Sequence, residues 1–543
     1  MKRFEPRRRG LIAAALTVGA SILVGAAAGA AGDLDPSWPA GGTTTKDIGG
    51  QDNAVAIAVQ ADGKIVVAGG TSAGSSFPTF VLDAGVARFN PDGFTDTSFG
   101  TGGKVTTDFD GDFNTARGLV IQPDGKIVAV GQAGNFRRVT LTRYTDGGNL
   151  DAGFGVGGKV TEARLSHSPG VALQQDGKIV VAAGTPDPVS AFGVARFTSD
   201  GAPDTSFGTA GRTATTLSTF AAANSVALQS DGKIVAAGVG ESDMVIVRYE
   251  GDGSPDLTFG DDGIQRADFG GFDGAWDVAV QADGKIVAAG WAGRGMTGRD
   301  IAVARFEADG DPDSTFSDDG HATIELSGGR TAEARGLVIQ ANGKVVVAGI
   351  EGIFSPGTAR PIAARLTASG VLDTSFGAGG VATSEPPWLG SLSDVALQAD
   401  GKLVAAAADT AVFSDFVVAR YLGDPVAITV ALDVRPGSAT NPINLRAKGL
   451  VPVAILTTAA FDAASVDPAT VCFGDDERPA ERDCTEAHGR NHQEDVNGDG
   501  LVDLLFHFDI AESGIDPGDS RACLNGSTRE GTPIEGCDTI ETR

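Results

Sequence analysis

The chain has 543 residues, a formal net charge of -28, 78 glycines and an aromatic share of only 6 %. Its 41 % hydrophobic content is enough for a packed core and excludes a disordered acidic chain. The charge excludes nucleic acid and anionic membrane surfaces as partners, because long-range repulsion opposes their approach.

At the N-terminus, Lys2, Arg3, Arg7, Arg8 and Arg9 form a basic leader, residues 11–24 are apolar, and small residues run on to Gly32. This is the pattern of an export signal with an Ala28-Gly29-Ala30 cleavage site, so residues 1–31 are expected to be removed. The apolar run is short for a membrane span. Removing the leader also removes five bases and Glu5, taking the charge from -28 to about -32. We expect a secreted or otherwise extracytoplasmic monomer, at the cell surface or in the periplasm, without stable membrane insertion.

From residue 32 a repeat sets in. The string Gln-x-Asp-Gly-Lys followed by an apolar run places its lysine at Lys64, Lys126, Lys178, Lys233, Lys285, Lys344 and Lys402. That spacing, about 56 residues, marks a repeat architecture. Each unit opens on Asp-x-Ser/Thr-Phe and a glycine turn, as in DTSFG at Asp96. A short Thr/Val strand follows, then an apolar strand ending in Gln, the Asp-Gly-Lys turn, a second apolar strand and a last strand ending Arg-aromatic.

Asp-Gly between apolar runs predicts a two-residue type I′ hairpin. Asn342 replaces the aspartate in the sixth copy, which argues for a turn and against a ring of functional carboxylates. The seven Gln (Gln60 to Gln398) and seven Arg (Arg88 to Arg420) never vary between copies. That constancy points to a structural task, with Arg bridging the recurrent Asp and Gln a neighbouring backbone.

Four strands in each of seven units, nearly continuous in Val, Ile and Ala, predict an all-β fold: a seven-bladed β-propeller of four-stranded blades over residues 32–423. An open β-solenoid is the competing arrangement, but its repeats are shorter and it needs capping units. The interval from lysine to closing arginine varies from 15 to 24 residues, whereas that from arginine to the next aspartate is always 8. Variation is thus concentrated in one connection, assigned to the third and fourth strands of the unit, on what is often the binding face. Phe136, Arg138, Trp291, Arg294, Arg299 and Phe354 lie there and are the candidate ligand anchors.

QPDGKIVAVG, LTRYTDGGNLDAGFGVGGKV and their counterparts resemble the delta-60 repeat family, a bacterial module of undetermined function. The resemblance implies a β-propeller-like array in exported or surface proteins and carries no catalytic residues over. Through LDVRPGSATNPINLRAKGLVPVAIL the remaining residues are similar to a C-terminal module on other secreted bacterial proteins.

Residues 424–543 have a different grammar and predict a small disulfide-stapled β-sandwich. Cys472, Cys484, Cys523 and Cys537 all fall here; an exported chain favours disulfides, with the local pairs Cys472–Cys484 and Cys523–Cys537 expected. In EDVNGDGLVD, Asp495, Asn497, Asp499, Leu501 (through its carbonyl) and Asp503 occupy the ligand positions of an EF-hand-type loop and are candidates for Ca²⁺. Position 12 is Phe506, so the bidentate Glu is missing.

The functional expectation is a non-catalytic binding or structural propeller that recognises an extracellular protein or polysaccharide. The alternative is an extracellular propeller enzyme, a lyase or glycoside-active protein. Abundant carboxylates allow it, but no nucleophile–base signature supports it.

Overall fold

The computed structural model describes residues 30–543, leaving aside 73–81, 110–112, 135, 187–190, 218–219, 296–297, 327–329, 353–358, 384–388, 410–414, 425–426, 439, 446–448, 460, 476–483, 485–491 and 530–531. Residues 1–29 of the expected leader and Phe354 lie outside the described residues. Among those residues no helix is long and apolar enough to cross a membrane.

Seven four-stranded antiparallel sheets form the propeller. The first blade runs through strands Asp52–Val59, Ile65–Thr71, Asp83–Phe89 and Lys104–Thr107, and the next five repeat this order. The blade is therefore offset by one strand from the unit read in the sequence. The Thr/Val strand that appeared to open each unit is the outermost strand of the blade before it. The length-variable connection consequently joins the second and third strands of a blade, not its third and fourth.

Among the described residues the second strands are buried throughout, apart from half-buried Gly293 at the end of the fifth. Alternate side chains go to opposite faces of a strand. Val66 and Ala68 enter the seam with the second blade, and Ile65 and Val67 the seam with the seventh. Seven apolar clusters fill the seven seams in this way, each residue of Val, Ile or Phe size contributing roughly 1.5–3 kcal/mol.

The invariant residues form a clasp at one end of every blade. Arg88 Nε donates to Asp96 Oδ2 at 2.8 Å, while its Nη1 donates to Gln60 Oε1 at 3.3 Å and to Asp146 Oδ1 of the next blade at 2.6 Å. The guanidinium lies over the Phe99 ring, 4.8 Å from its centre. In other blades the partner is backbone or a further carboxylate: Arg305 reaches Ala368 O at 2.6 Å, Arg365 Nη1 pairs with Asp424 Oδ1 at 2.8 Å, and Gln229 Nε2 reaches Gly284 O at 3.1 Å. Burial raises the Asp96 pKa, but hydrogen bonds from Ser98 and the charges of Arg88 and Lys64 bring it down to about 2.

In the Asp-Gly-Lys turn only the glycine has a positive φ, +82° at Gly63 and +78° at Gly343. Gly63 N donates to Gln60 O, and Gln60 N to Lys64 O. This is a three-residue loop with glycine in the left-handed position, not the expected two-residue type I′ turn. Asp62 Oδ1 accepts the Lys64 N–H at 3.1 Å, and Asn342 Oδ1 accepts that of Lys344 at 3.2 Å, which explains the exchange.

The seventh blade is composite. Its strands Leu389–Leu397, Leu403–Asp409 and Phe416–Tyr421 are completed by Thr43–Lys46 from the other end of the repeat region. Asp35 then serves Arg420 (2.9 Å) and Lys402 (3.3 Å), with Trp38 beneath the arginine where the other blades have Phe. Closure completes the seventh sheet, so each blade keeps only its short innermost and outermost strands as edges.

Residues beyond the ring form two four-stranded sheets around Val434, Val453, Phe473, Phe506 and Leu524, the expected sandwich. Both expected disulfides, Cys472–Cys484 and Cys523–Cys537, are present.

Removing one partner of a buried ion pair costs about 3–5 kcal/mol. Asp35→Ala should therefore lower the unfolding free energy of the ring by about that amount, measured by urea unfolding. An unchanged midpoint would mean that the closing clasp contributes nothing.

Candidate functional site: the axial cavity

The first strands of the seven blades lie against one another around the axis. Each has a register shift against its neighbour, so one stretch per blade leaves the ladder. Bulges of this kind re-aim side chains and are enriched beside active sites. Here they bring Val55, Arg117, Pro169, Asn224, Trp276, Arg335 and Ser393 to a cavity of about 470 Å³ on the axis. Each of the seven stands five residues before its blade's invariant Gln, yet they comprise six residue types. The cavity opens at the end of the blades where the variable connections lie, since Gly70, Leu82 and Thr115 also line it.

One residue further on, the sequence reads Ala56, Gly118, Gly170, Ser225, Asp277, Gly336 and Asp394. This position packs on the next blade: a Cβ on Gly336 would come within 2.9 Å of Asp394 Cα and Oδ1. Asp277 spans three blades, accepting from Ser225 Oγ at 2.7 Å, Val278 N at 2.8 Å and Leu337 N at 2.8 Å. Asp394 accepts from Ile57 N at 2.9 Å and from Val395 N at 2.8 Å. Both carboxyls lie deep among protein atoms but border the cavity. Burial raises the Asp277 pKa; burial and then the Asp277 charge raise that of Asp394 to about 8.

The cationic side of the cavity is separate. Arg117 has no hydrogen-bond or ion-pair partner among the described residues, and its Nε is shut off from solvent without one. Burial, then the neighbouring Arg335 charge, lowers its pKa. Arg335 Nε stands 3.1 Å from Glu333 Oε1, whose other oxygen is 2.7 Å from Arg299 Nη1.

The sequence-predicted anchors sit mainly behind this wall. Trp291 is only 3 % exposed and belongs to the strand Ile286–Gly293, so it is not a loop hot spot. Its ring packs on Trp276 at 5.1 Å and lies under Arg299 at 4.8 Å. Arg294 pairs with Asp300 at 3.0 Å and donates to Arg330 O at 2.9 Å. Phe136, with φ +67°, packs at a tilt against the cavity residue Phe113, ring centres 5.1 Å apart. Arg138 is half-buried at the start of the strand Arg138–Tyr144. Sequence reasoning missed Arg117, Trp276, Asp277, Arg335 and Asp394, although counting back from the invariant Gln finds all five.

In the C-terminal domain, Asp495, Asn497, Asp499 and Leu501 share one loop, and Asp503 opens the strand Asp503–Asp509 that follows it. Asp495 caps the amides of Gly498 (2.8 Å) and Gly500 (2.9 Å), Asp499 caps that of Leu501 (2.8 Å), and buried Asp503 accepts from Thr457 N (2.8 Å). The donor set is all oxygen, the chemistry suited to Ca²⁺.

Six stretches, residues 60–99, 122–154, 174–207, 229–259, 281–316 and 340–376, match the family described as "Domain of unknown function (DUF5122) beta-propeller". These matches support β-propeller repeats in those stretches. Among solved structures, a fungal alcohol oxidase of the AA5 family in complex with copper is similar at 14 % identity and a TM-score of 0.41, covering 92 % of this chain and 98 % of its own. A protein of unknown function from Dyadobacter fermentans covers 70 % of this chain and 98 % of its own, at 12 % identity and a TM-score of 0.37. An α-L-arabinofuranosidase from Fusarium graminearum, with an iminosugar inhibitor, does so at 70 % and 97 %, with the same identity of 12 % and TM-score of 0.37. No curated protein matches the chain.

The buried acids make stability depend on pH in two directions. Asp96 and Asp204, each held at about 2, add stability as pH rises toward the ordinary carboxylate range. Asp394 does the opposite. Between about pH 4 and 8 the native state keeps a proton that the unfolded chain releases, so stability falls with rising pH and levels off above about 8. The melting temperature should therefore decline from pH 5 to pH 8, and Asp277→Asn should flatten that decline by removing the like charge. A slope unchanged in the variant would contradict the coupling.

Proposed function

We propose that this is a secreted, non-catalytic binding propeller of the delta-60 repeat type. It recognises an extracellular protein or glycan through the axial cavity and the variable loops around it. One observation carries the reading. Seven blades hold the same Gln, Arg and Asp-Gly-Lys scaffold, yet the inner position that turns toward the axis differs from blade to blade. Purely structural repetition gives no reason for Arg, Trp, Asn and Ser to alternate there.

Binding is preferred to catalysis because every oxygen of Asp277 and Asp394 already accepts a backbone amide or Ser225. One observation favours the second reading, a glycoside-active enzyme: a carboxyl protonated near neutral pH beside another carboxyl is the arrangement of a general acid and its partner. Purified protein applied to glycan and protein arrays, with polysaccharide turnover assayed in parallel, separates the two. We expect a specific ligand lost in Trp276→Ala and no turnover. Turnover abolished by Asp394→Asn would establish the enzyme.

The C-terminal loop is proposed to take Ca²⁺ at millimolar extracellular levels. Calcium should raise the melting temperature of the sandwich domain, EGTA should reverse it, and Asp495→Ala should abolish the response. The absence of any shift would remove calcium from the account.

A further inference from the structure

We propose that Arg117 and Arg335 form a carboxylate-binding subsite beside the Trp276 wall, so that the ligand is an acidic polysaccharide presenting uronate residues. This deepens the binding reading above and rests on it.

Arg117 is half-buried, and its Nε is shut off from water without a partner, which is unfavourable for a charged group. In the clasps the charge is met: Arg88 and Arg305 are each bonded to a buried aspartate, stacked on a Phe ring and tied to the next blade, and Arg365 is bonded to Asp373 and Asp424 over the Phe376 ring. Among the described residues Arg117 has none of these contacts and instead has a second cation, Arg335, beside it at the cavity. Glu333 does not settle the charge, because its single carboxylate is divided between Arg299 and Arg335. Nor do the two cavity acids. Each is bonded to backbone amides, Asp277 also to Ser225, and neither makes an ion pair with Arg117 or Arg335 among the described residues. The axial site therefore carries excess positive charge inside a strongly negative protein, where a bound anion is the missing partner.

The neighbours narrow the anion to a sugar acid. Trp276 borders the cavity and is held from behind by Trp291, which in turn lies under Arg299. A rigid aromatic face packs against the apolar face of a pyranose ring, and guanidinium groups match a carboxylate with paired hydrogen bonds. Asn224 and Ser393 add neutral polar groups for hydroxyls. A volume of about 470 Å³ suits a small ligand or the terminal residues of a longer one. A simple phosphate would use the arginines and leave the aromatic wall idle.

The test is calorimetric titration of the full chain with oligogalacturonate, with the same oligomer methyl-esterified, and with inorganic phosphate. Charge-assisted hydrogen bonds contribute about 1.5–3 kcal/mol, so the acid form should bind at least roughly tenfold more tightly than the ester. Arg117→Gln should erase that preference, Arg117→Lys should retain part of it, and the melting temperature of Arg117→Gln should be equal to or above that of the parent. Equal affinity for acid and ester, a preference that survives Arg117→Gln, or phosphate binding as tightly as the oligomer would each overturn the inference. If these probes fail while arrays find another ligand that Trp276→Ala loses, the acidic-glycan assignment falls and the binding reading stands. If no ligand is found at all, the binding reading falls with it.

Discussion

A buried guanidinium in every blade holds the ring together in a way that no apolar side chain could. In the first blade its Nε fixes the aspartate that organises the turn between the third and fourth strands, and its Nη1 crosses to the following blade. In the seventh, Arg420 holds Asp35 through Nη2. Flat apolar seams supply most of the burial energy but little registration, because small Val, Ile and Ala side chains slide past one another at modest cost. The clasp supplies the registration. Closure depends on the same device, since Asp35 and Trp38, from one end of the repeat region, complete the clasp of Arg420 at the other. Lose that last clasp and the seventh sheet lacks both its outer strand and its anchor.

With registration supplied at one end of the blades, the innermost strands are free to diverge at the other. Each carries a bulge, which costs ladder hydrogen bonds but turns a side chain toward the axis. The scaffold tolerates this because the strand it disturbs is flanked by a fully buried, fully paired second strand. At the next position, small residues are required wherever the adjacent blade crowds in, as Gly336 shows against Asp394. Two blades break that rule with aspartates, and both use the carboxyl to join blades. The cavity thus has an acidic side that is structural and a basic side that is not satisfied.

Much of this fold is legible in the residues alone, for a physical reason. Repetition multiplies weak signals, so seven copies of Gln-x-Asp-Gly-Lys and Arg-aromatic establish strand count, blade number and the clasp. The disulfide pairs are equally legible, because short sequence separations leave few alternatives. What escaped was carried by differences. Comparing copies for what they share discards the column holding Val55, Arg117, Pro169, Asn224, Trp276, Arg335 and Ser393. Bulges leave no compositional mark, since they depend on register between strands. Trp291 misled because it follows an apolar run and stands one residue before the point where most second strands end; in its blade the strand continues to Gly293 and buries the ring. Even so, it led to the right neighbourhood, one layer behind the cavity wall.

The central claim is that function resides on the axis and not on the outer loops or the blade edges. A crystal structure of the protein with whichever ligand the arrays identify tests it most directly. The account predicts ligand density in the axial cavity, in contact with Arg117, Trp276 and Arg335. Density confined to loop tips or the outer strands, with the cavity holding only water, would contradict it.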